Sequence, residues 1–475
     1  MLVGAQLAGA PLSILVSFLI GRYLGPEAFG QNFVAWIMTL FGFLVVEWGH
    51  GNVITAALVT DRGRAGEFLG TTVAWRLSAS VFVYGFLAAV SWALGYSVDF
   101  HVVLALVTLQ CVLGTIANGC QDVIRGFERT DVAAFGQLGN QVATAIVVIP
   151  VLMLGGKLHA VLIAQAVAQA VVLLVVWRAA RRISKAPLVI RRELVQDLFR
   201  RGIPFLAYGL AMALQGFIDA VLLSKLAPGE VVGWQAAARR LTGVLVMPAM
   251  ALIGALYPTL SRLYATDEDG YRKTLRSALQ GTMVLAVPFA LACALYRDLG
   301  IALYNKEGFG PARDNLLVNS VVLFLLYITM PLGSAILAAG RQRAWALVQL
   351  LCVVTSSVLD PILIPWFQRN YGNGGLGVNV AGVVSEIWML TAAFFLVPKG
   401  ALNRQVAINL LRALAAGVVM LGVGLALARA GLNPWLAAPV SFMGYAVALW
   451  AFGGVNPEHV AAAKAKILRK MRRAA

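Results

Sequence analysis

Charge is scarce in this sequence: Asp, Glu, Lys and Arg together make up 12% of its 475 residues, about half of the roughly 25% usual in a soluble domain. So little charge cannot cover a water-facing surface, which excludes a soluble enzyme or a secreted domain. Histidine is limited to four residues, and no Walker A loop, nucleophile elbow, metal-binding helix motif or dinucleotide fingerprint occurs. The sequence therefore offers no site for covalent chemistry, and neither enzyme activity nor a bound cofactor is expected. Cysteine is also rare. Cys111, Cys120, Cys293 and Cys352 each sit in an apolar segment without metal-ligand spacing, which argues against disulfides and zinc and leaves packing as their role.

Apolar residues are abundant, at 60% of the chain. A bilayer core of about 30 Å needs about 20 apolar helical residues to cross it, and runs of that kind recur from end to end. They predict an all-α polytopic membrane protein with about fourteen spanning helices. The first covers residues 2 to 22, the second 30 to 57, the fourth 99 to 121 and the eleventh 343 to 366. Met1 leads into LVGAQLAGAPLSILVSFLIG without a basic region before it, so this run is expected to stay as a span rather than act as a cleaved leader.

Lys and Arg total 38 against 21 acidic residues. A nucleic-acid groove needs a folded, water-facing basic surface, and the connections here are too short to build one. The charge is instead topological. Basic residues gather in the even-numbered connections, for example Arg62 and Arg64, Arg125 and Arg129, and Arg341 and Arg343, and again in the tail from Lys464 to Arg473. Because such residues are held on the cytoplasmic side, both termini are expected to be cytoplasmic in a multi-pass protein of the plasma (inner) membrane.

The longest basic connection separates the first six spans from the next six, and two short similarities point to duplication. LGPEAFG (24 to 30) resembles LAPGEVVG (226 to 233), and ERTDVAAFGQL (128 to 138) resembles GRQRAWALVQL (340 to 350), with Gln137 opposite Gln349. An even number of spans per half makes the repeats parallel, as in transporters whose halves rock around a central site. The expected division is an N-lobe at 1–180, an amphipathic cytoplasmic linker at 181–202 lying on an anionic leaflet, and a C-lobe at 203–398. Two further spans follow at 399–455, then a basic tail at 456–475.

Ionisable groups well inside a span cost about 2.5 to 3.5 kcal/mol each on insertion scales, so they face a cavity or a partner. Glu47, Arg76, Asp219, Arg239, Arg240, Asp360 and Glu386 are of this kind. Arg76 is placed to pair with Glu47, with His50 on the same helical face as Glu47 at the i+3 position. Asp219 is placed to pair with Arg239. Arg240 points about 100° away, so one acid cannot neutralise both arginines, and a guanidinium is expected to remain for an anion such as phosphate. Glu386, at mid-depth with no evident basic partner, suits proton uptake and release, or else a neutral structural hydrogen bond. Asp360, before Pro361, suits a local structural role. Structural ion pairing is the plainer alternative for Glu47 and Arg76. Pro150, Pro204, Pro248, Pro288, Pro331, Pro361 and Pro365 fall in or near spans, where they permit bending.

The segments RYLGPEAFGQ, IRGFER, VMPAMALIGALYPTLSRLY, AILAAGRQR and NGGLGVNVAGVVSEIWML, together with the Asp219 position, run in order over nearly the whole chain. The sequence resembles the polysaccharide and O-antigen flippase family of the multidrug/oligosaccharidyl-lipid/polysaccharide exporter superfamily. The resemblance implies two six-helix lobes plus two helices, a central cavity and alternating access. It also implies an undecaprenyl-diphosphate-linked oligosaccharide as substrate, with membrane lipids and a glycan polymerase as partners, no nucleic acid, and an H+ or Na+ gradient as drive. In such proteins the first, second, seventh and eighth spans line the cavity, which would expose Arg22, Glu47, Asp219, Lys225, Arg239 and Arg240. Arg22, Lys225, Arg76, Arg239 and Arg240 are then the expected diphosphate ligands, with Glu47, Asp219 and Glu386 in coupling or gating. Relatives carry a short polar stretch before the first span that this sequence lacks, and an amide is commoner than Asp360. A lipid II flippase is an alternative within the superfamily. So is a drug/cation antiporter, against which the paired arginines argue. A membrane glycan polymerase would be expected to carry large external loops.

Overall fold

The computed structural model describes residues 2–304 and 306–454. Among them are sixteen α-helices and no strand: α1 (Leu2–Glu47), α2 (His50–Thr60), α3 (Ala65–Ala93), α4 (Val98–Gly126), α5 (Thr130–Met153), α6 (Leu158–Ile183), α7 (Arg192–Leu226), α8 (Gly229–Thr266), α9 (Glu268–Leu295), α10 (Arg297–Ala302), α11 (Lys306–Phe309), α12 (Ala312–Ala338), α13 (Gln342–Tyr371), α14 (Gly375–Leu396), α15 (Arg404–Arg429) and α16 (Pro434–Ala451). The basic tail from 456 onward lies outside the described residues.

Among the described residues, thirteen helical stretches are long and apolar enough to cross a membrane. Their outward faces are apolar too: Phe82, Trp92, Phe395 and Val418 are all exposed. A helix that is apolar all round needs an apolar solvent, and the chain is a multi-pass membrane protein. The stretch 2–47 holds two helices, the first two predicted spans, which meet at a kink at Gly25 (φ 80°, ψ 174°) ahead of Pro26, so the total agrees with the expected fourteen or so. One correction lies further along. The predicted span 30–57 is interrupted at Trp48 and Gly49, both at positive φ (47° and 68°), and resumes as α2. All seven prolines noted above fall inside helices.

The helices group into two compact units. The first comprises the chain up to Ala237, Leu303–Pro311 and Ser356–Val378. Its cores gather Met38, Leu104, Leu162 and Ile364 in one cluster and Leu58, Phe68, Ile124 and Leu198 in another. The second comprises Ala238–Ala302, Ala312–Thr355 and the chain from Asn379 onward, with cores around Leu260, Tyr271 and Leu332, around Tyr327, and around Met420 and Tyr445. This division by compactness cuts α8, α13 and α14, whereas the lobes drawn from the repeats part at 181–202.

Within the first unit the two repeat-related turns meet. A Cβ on Gly30 would lie 2.7 Å from the Gly229 carbonyl oxygen and from the Gly233 nitrogen, an approach that only glycine permits. The linker takes a different form from the expected amphipathic helix. Residues 184–191 are non-helical, while 181–183 end α6 and 192–202 form the first turns of α7. The non-helical stretch is pinned along the start of α3: Val189 N donates to the Gly66 carbonyl (3.4 Å), Thr71 Oγ1 donates to the Val189 carbonyl (3.3 Å), and Arg191 pairs with Glu67 (2.8 Å). Two basic ends surround a run, Leu188 to Ile190, whose side chains are exposed, so backbone bonds to α3 take the place of helical ones.

Candidate functional site

The break after Glu47 falls inside the predicted span 30–57 and frees backbone groups there, and irregular backbone within a span is tolerated where protein buries it or where it lines a cavity. Both occur here. Trp75 Nε1 donates to the Val46 carbonyl (3.0 Å), one of the carbonyls orphaned at the end of α1. Trp48 Nε1 donates to the Phe199 carbonyl at the start of α7 (3.1 Å). Beside the break lies a cavity of about 630 Å³ in the first unit, lined by side chains of α1, α2, α3, α4 and α5 that include Glu47, His50, Arg76, Asp122, Arg125 and Gln137.

The cavity's charges form a network. Arg76 is 1% exposed and Asp122 5%. Arg76 Nη2 donates to Asp122 Oδ2 (3.3 Å) and its Nη1 donates to the Thr115 carbonyl. Half-buried Arg125 donates from Nη1 to Asp122 Oδ1 (3.3 Å) and from Nη2 to Gln121 Oε1 (3.4 Å). The carboxylate also sits against the first turn of α2, where a Cβ on Gly51 would lie 3.0 Å from both of its oxygens. A helix N-terminus favours negative charge at that position. Close packing of α3 on α4 depends on Gly119, whose added Cβ would stand 2.6 Å from Arg76 Nη1.

Arg76 thus pairs with Asp122, and the expected pair with Glu47 does not form. Glu47 accepts from Asn118 Nδ2 (3.0 Å) and Thr115 Oγ1 (3.4 Å) instead. Glu47 and His50 do come together, at the wall of the cavity rather than along one helical face, because the helix breaks between them. His50 is buried, edge-on to Trp75 and Phe199. Asp122 and Arg125 were missed in the sequence because the fourth span was ended at residue 121, whereas α4 continues to Gly126. The acid and base three residues apart at a helix end were the available signal.

The other expected residues lie elsewhere. In the first unit Arg22 is exposed on α1 and Asp219 is buried on α7. Lys225, also exposed, holds its Nζ 3.3 Å above the Tyr96 ring, whose hydroxyl bonds Ser224 Oγ (2.5 Å). In the second unit Arg239 is half-buried and Arg240 exposed on α8. Both arginines and Asp219 have interaction partners, so the idea of one guanidinium standing without any is replaced. Glu386, on α14, accepts from Thr329 Oγ1 on α12 (2.9 Å). Asp360 is wholly buried within α13.

A family profile described as "Polysaccharide biosynthesis protein" matches residues 1–264, which takes in the whole cavity and all of α1 to α7. The chain belongs to this family. No curated protein matches the chain. Among solved structures it is similar to the lipid II flippase MurJ in an inward closed conformation, at 12% identity over 95% of this chain and 97% of that one (TM-score 0.68). It is similar too to an inward-facing multidrug resistance MATE family transporter of the MOP superfamily, at 15% identity over 82% and 94% (TM-score 0.66). A third is a MOP superfamily transporter from Pyrococcus furiosus described as having a binding pocket of reverse polarity, at 15% identity over 83% and 94% (TM-score 0.56). At these identities the likeness establishes the fold.

Proposed function

We propose that this protein is a flippase that carries an undecaprenyl-diphosphate-linked oligosaccharide from the cytoplasmic to the outer leaflet of the plasma membrane by alternating access. The observation that carries this reading is the polysaccharide family match over residues 1–264, on a chain with the fold of transporters and a flippase. It is read as a transport protein rather than an enzyme, in keeping with its transporter and flippase neighbours.

The diphosphate is assigned to Arg22, Lys225, Arg239 and Arg240, whose guanidinium and ammonium groups supply the charge-assisted donors that a diphosphate needs. Arg76, held by Asp122 and the Thr115 carbonyl, is assigned to the cavity wall. Glu47, Asp219 and Glu386 are assigned to coupling with an H+ or Na+ gradient, a role that suits carboxyl groups placed inside spans. Both termini are assigned to the cytoplasm from the distribution of Lys and Arg. A lipid II flippase differs from this reading in the sugar carried. A drug/cation antiporter would want acidic cavity groups in excess, and the first-unit cavity has as many guanidinium groups as carboxylates.

The test is glycan export by cells in which R239A/R240A replaces the wild-type chain. Export should be lost while the variant is inserted at wild-type levels. Full export by a correctly inserted double variant would remove these residues from the mechanism.

A further inference from the structure

The strap at 184–191 holds apolar side chains out in the open. Leu188, Val189 and Ile190 are all exposed, Ile190 by 68%, although hydrogen bonds to the backbone fix the segment in place. Besides the two bonds that tie Val189 to α3, Arg181 Nη1 donates to the Ala186 carbonyl (2.6 Å) and the Arg191 N–H donates to Thr71 Oγ1 (3.0 Å). Glycine makes the close approach possible. An added Cβ would stand 2.1 Å from the Pro187 carbonyl oxygen at Gly66 and 2.8 Å from the Val189 carbonyl oxygen at Gly70.

The path of the strap says what covers these side chains. Pro187 lies against Gly66 and Val189 against Gly70, so between them the strap advances one turn along α3, about 6 Å, away from Arg62 and Arg64 and into the span. The Arg191 side chain runs the other way. Its backbone N–H bonds Thr71, while its guanidinium reaches back to Glu67, one turn nearer the basic end (2.8 Å). A long cationic side chain does this when its stem lies among apolar groups and its head seeks water. Further along α3, Leu77 and Val81 stand on the same helical face as Gly70, and both are exposed. Exposed apolar residues inside a span face lipid, so the strap lies on a lipid-facing side of the first unit.

Basic residues border the dip at both ends. Between 181 and 193 there are five of them against one acid, Glu193, and Arg182, Lys185 and Arg192 are exposed. Apolar side chains sunk about 5 to 10 Å into the boundary of headgroups and acyl chains, with Lys and Arg beside them, make an interfacial anchor for an anionic leaflet.

We propose that the strap and its flanks are a docking surface for anionic phospholipid, with Leu188 to Ile190 among the upper acyl chains and Arg182, Lys185 and Arg192 on the phosphate headgroups. The occupant is bulk lipid of the leaflet on the side of the basic connections, not a transported carrier, so the inference does not rest on the flippase reading.

The test uses the full chain in vesicles of phosphatidylcholine, with and without phosphatidylglycerol. A fluorescent maleimide is placed by Ile190→Cys, with Leu188→Cys as a second probe. The native cysteines are buried or half-buried, and the unsubstituted chain gives their background. A nitroxide on the upper acyl chain should quench both probes and aqueous iodide should not, whereas a probe placed by Asp269→Cys, where the native side chain is 94% exposed, should respond to iodide. Nitroxide-labelled phosphatidylglycerol should associate with the Ile190→Cys probe at least about fivefold more strongly than labelled phosphatidylcholine, the weight of one basic residue near an anionic surface, and high salt should shrink the difference. Arg182→Gln/Lys185→Gln/Arg192→Gln leaves the backbone ties in place and should bring the two lipids level. Iodide quenching as strong as at the Asp269→Cys probe would mean that the strap stands in water for another partner, and it overturns the proposal. So does equal association of the two lipids without the triple substitution, or a preference that the triple variant keeps.

Discussion

Replacing Arg76 by Ala should destabilise the protein by about 3 kcal/mol, the lower end of the ~3 to 5 kcal/mol for breaking a buried ion pair. The lower end applies because Asp122 keeps Arg125 at 3.3 Å. Asp122→Ala belongs nearer the upper end, about 5 kcal/mol, since it strands a guanidinium that is 1% exposed and whose paired acid is Asp122. Removing both should then cost less than the sum, because the double variant buries no stranded charge opposite the deleted group. Contacting residues of this kind couple by about 0.5 to 3 kcal/mol, and the shared burial puts the expected value at about 2 kcal/mol. The assay is unfolding of the purified full chain in mixed micelles by titration with a denaturing detergent, with all four members of the cycle compared at one protein concentration. Single effects that add to within about 0.5 kcal/mol would refute the pairing and with it the charge network of the cavity.

Gly119→Ala places a Cβ 2.6 Å from Arg76 Nη1, so the overpacking should cost about 1 to 3 kcal/mol in the same titration; a neutral result would mean that Arg76 is free to move. Thr329→Val removes the 2.9 Å donor to Glu386 and should destabilise by about 1 to 3 kcal/mol, whereas adding Glu386→Gln to it should recover part of that loss. Lys225→Ala removes an ammonium 3.3 Å above the Tyr96 ring at an exposed position, so stability should change by only about 0.5 to 1 kcal/mol. A large fall in glycan export with stability intact would place Lys225 on the transport path.

The membrane architecture was legible because hydropathy and length act on every span alike. At Gly25 and Pro26 the connection between the first two spans was legible from Arg22, Glu27 and the Gly-Pro pair. Where a span differs from expectation, local backbone competes with the hydropathy pattern. At Trp48 and Gly49 the signal was subtle: glycines on both sides of His50 within a span. Glu47 and Arg76 could be singled out as cavity residues since charge inside a span needs a reason. Their partners could not, because pairing depends on how α3 and α4 approach, and that approach is set by Gly119, a residue with no chemistry of its own. Gln137 stood out only as one half of a repeat, and its place on the cavity wall follows from the packing of α5.

The central claim is that this chain moves a lipid-linked glycan across the bilayer. Vesicles reconstituted with the wild-type chain and loaded with undecaprenyl-diphosphate oligosaccharide in one leaflet test it directly, by the appearance of glycan accessible to a glycosidase added on the other side. Protein-dependent appearance, faster under an imposed H+ or Na+ gradient, is the result expected. Protein-dependent movement of a lipophilic cation with no movement of the glycan carrier would contradict it.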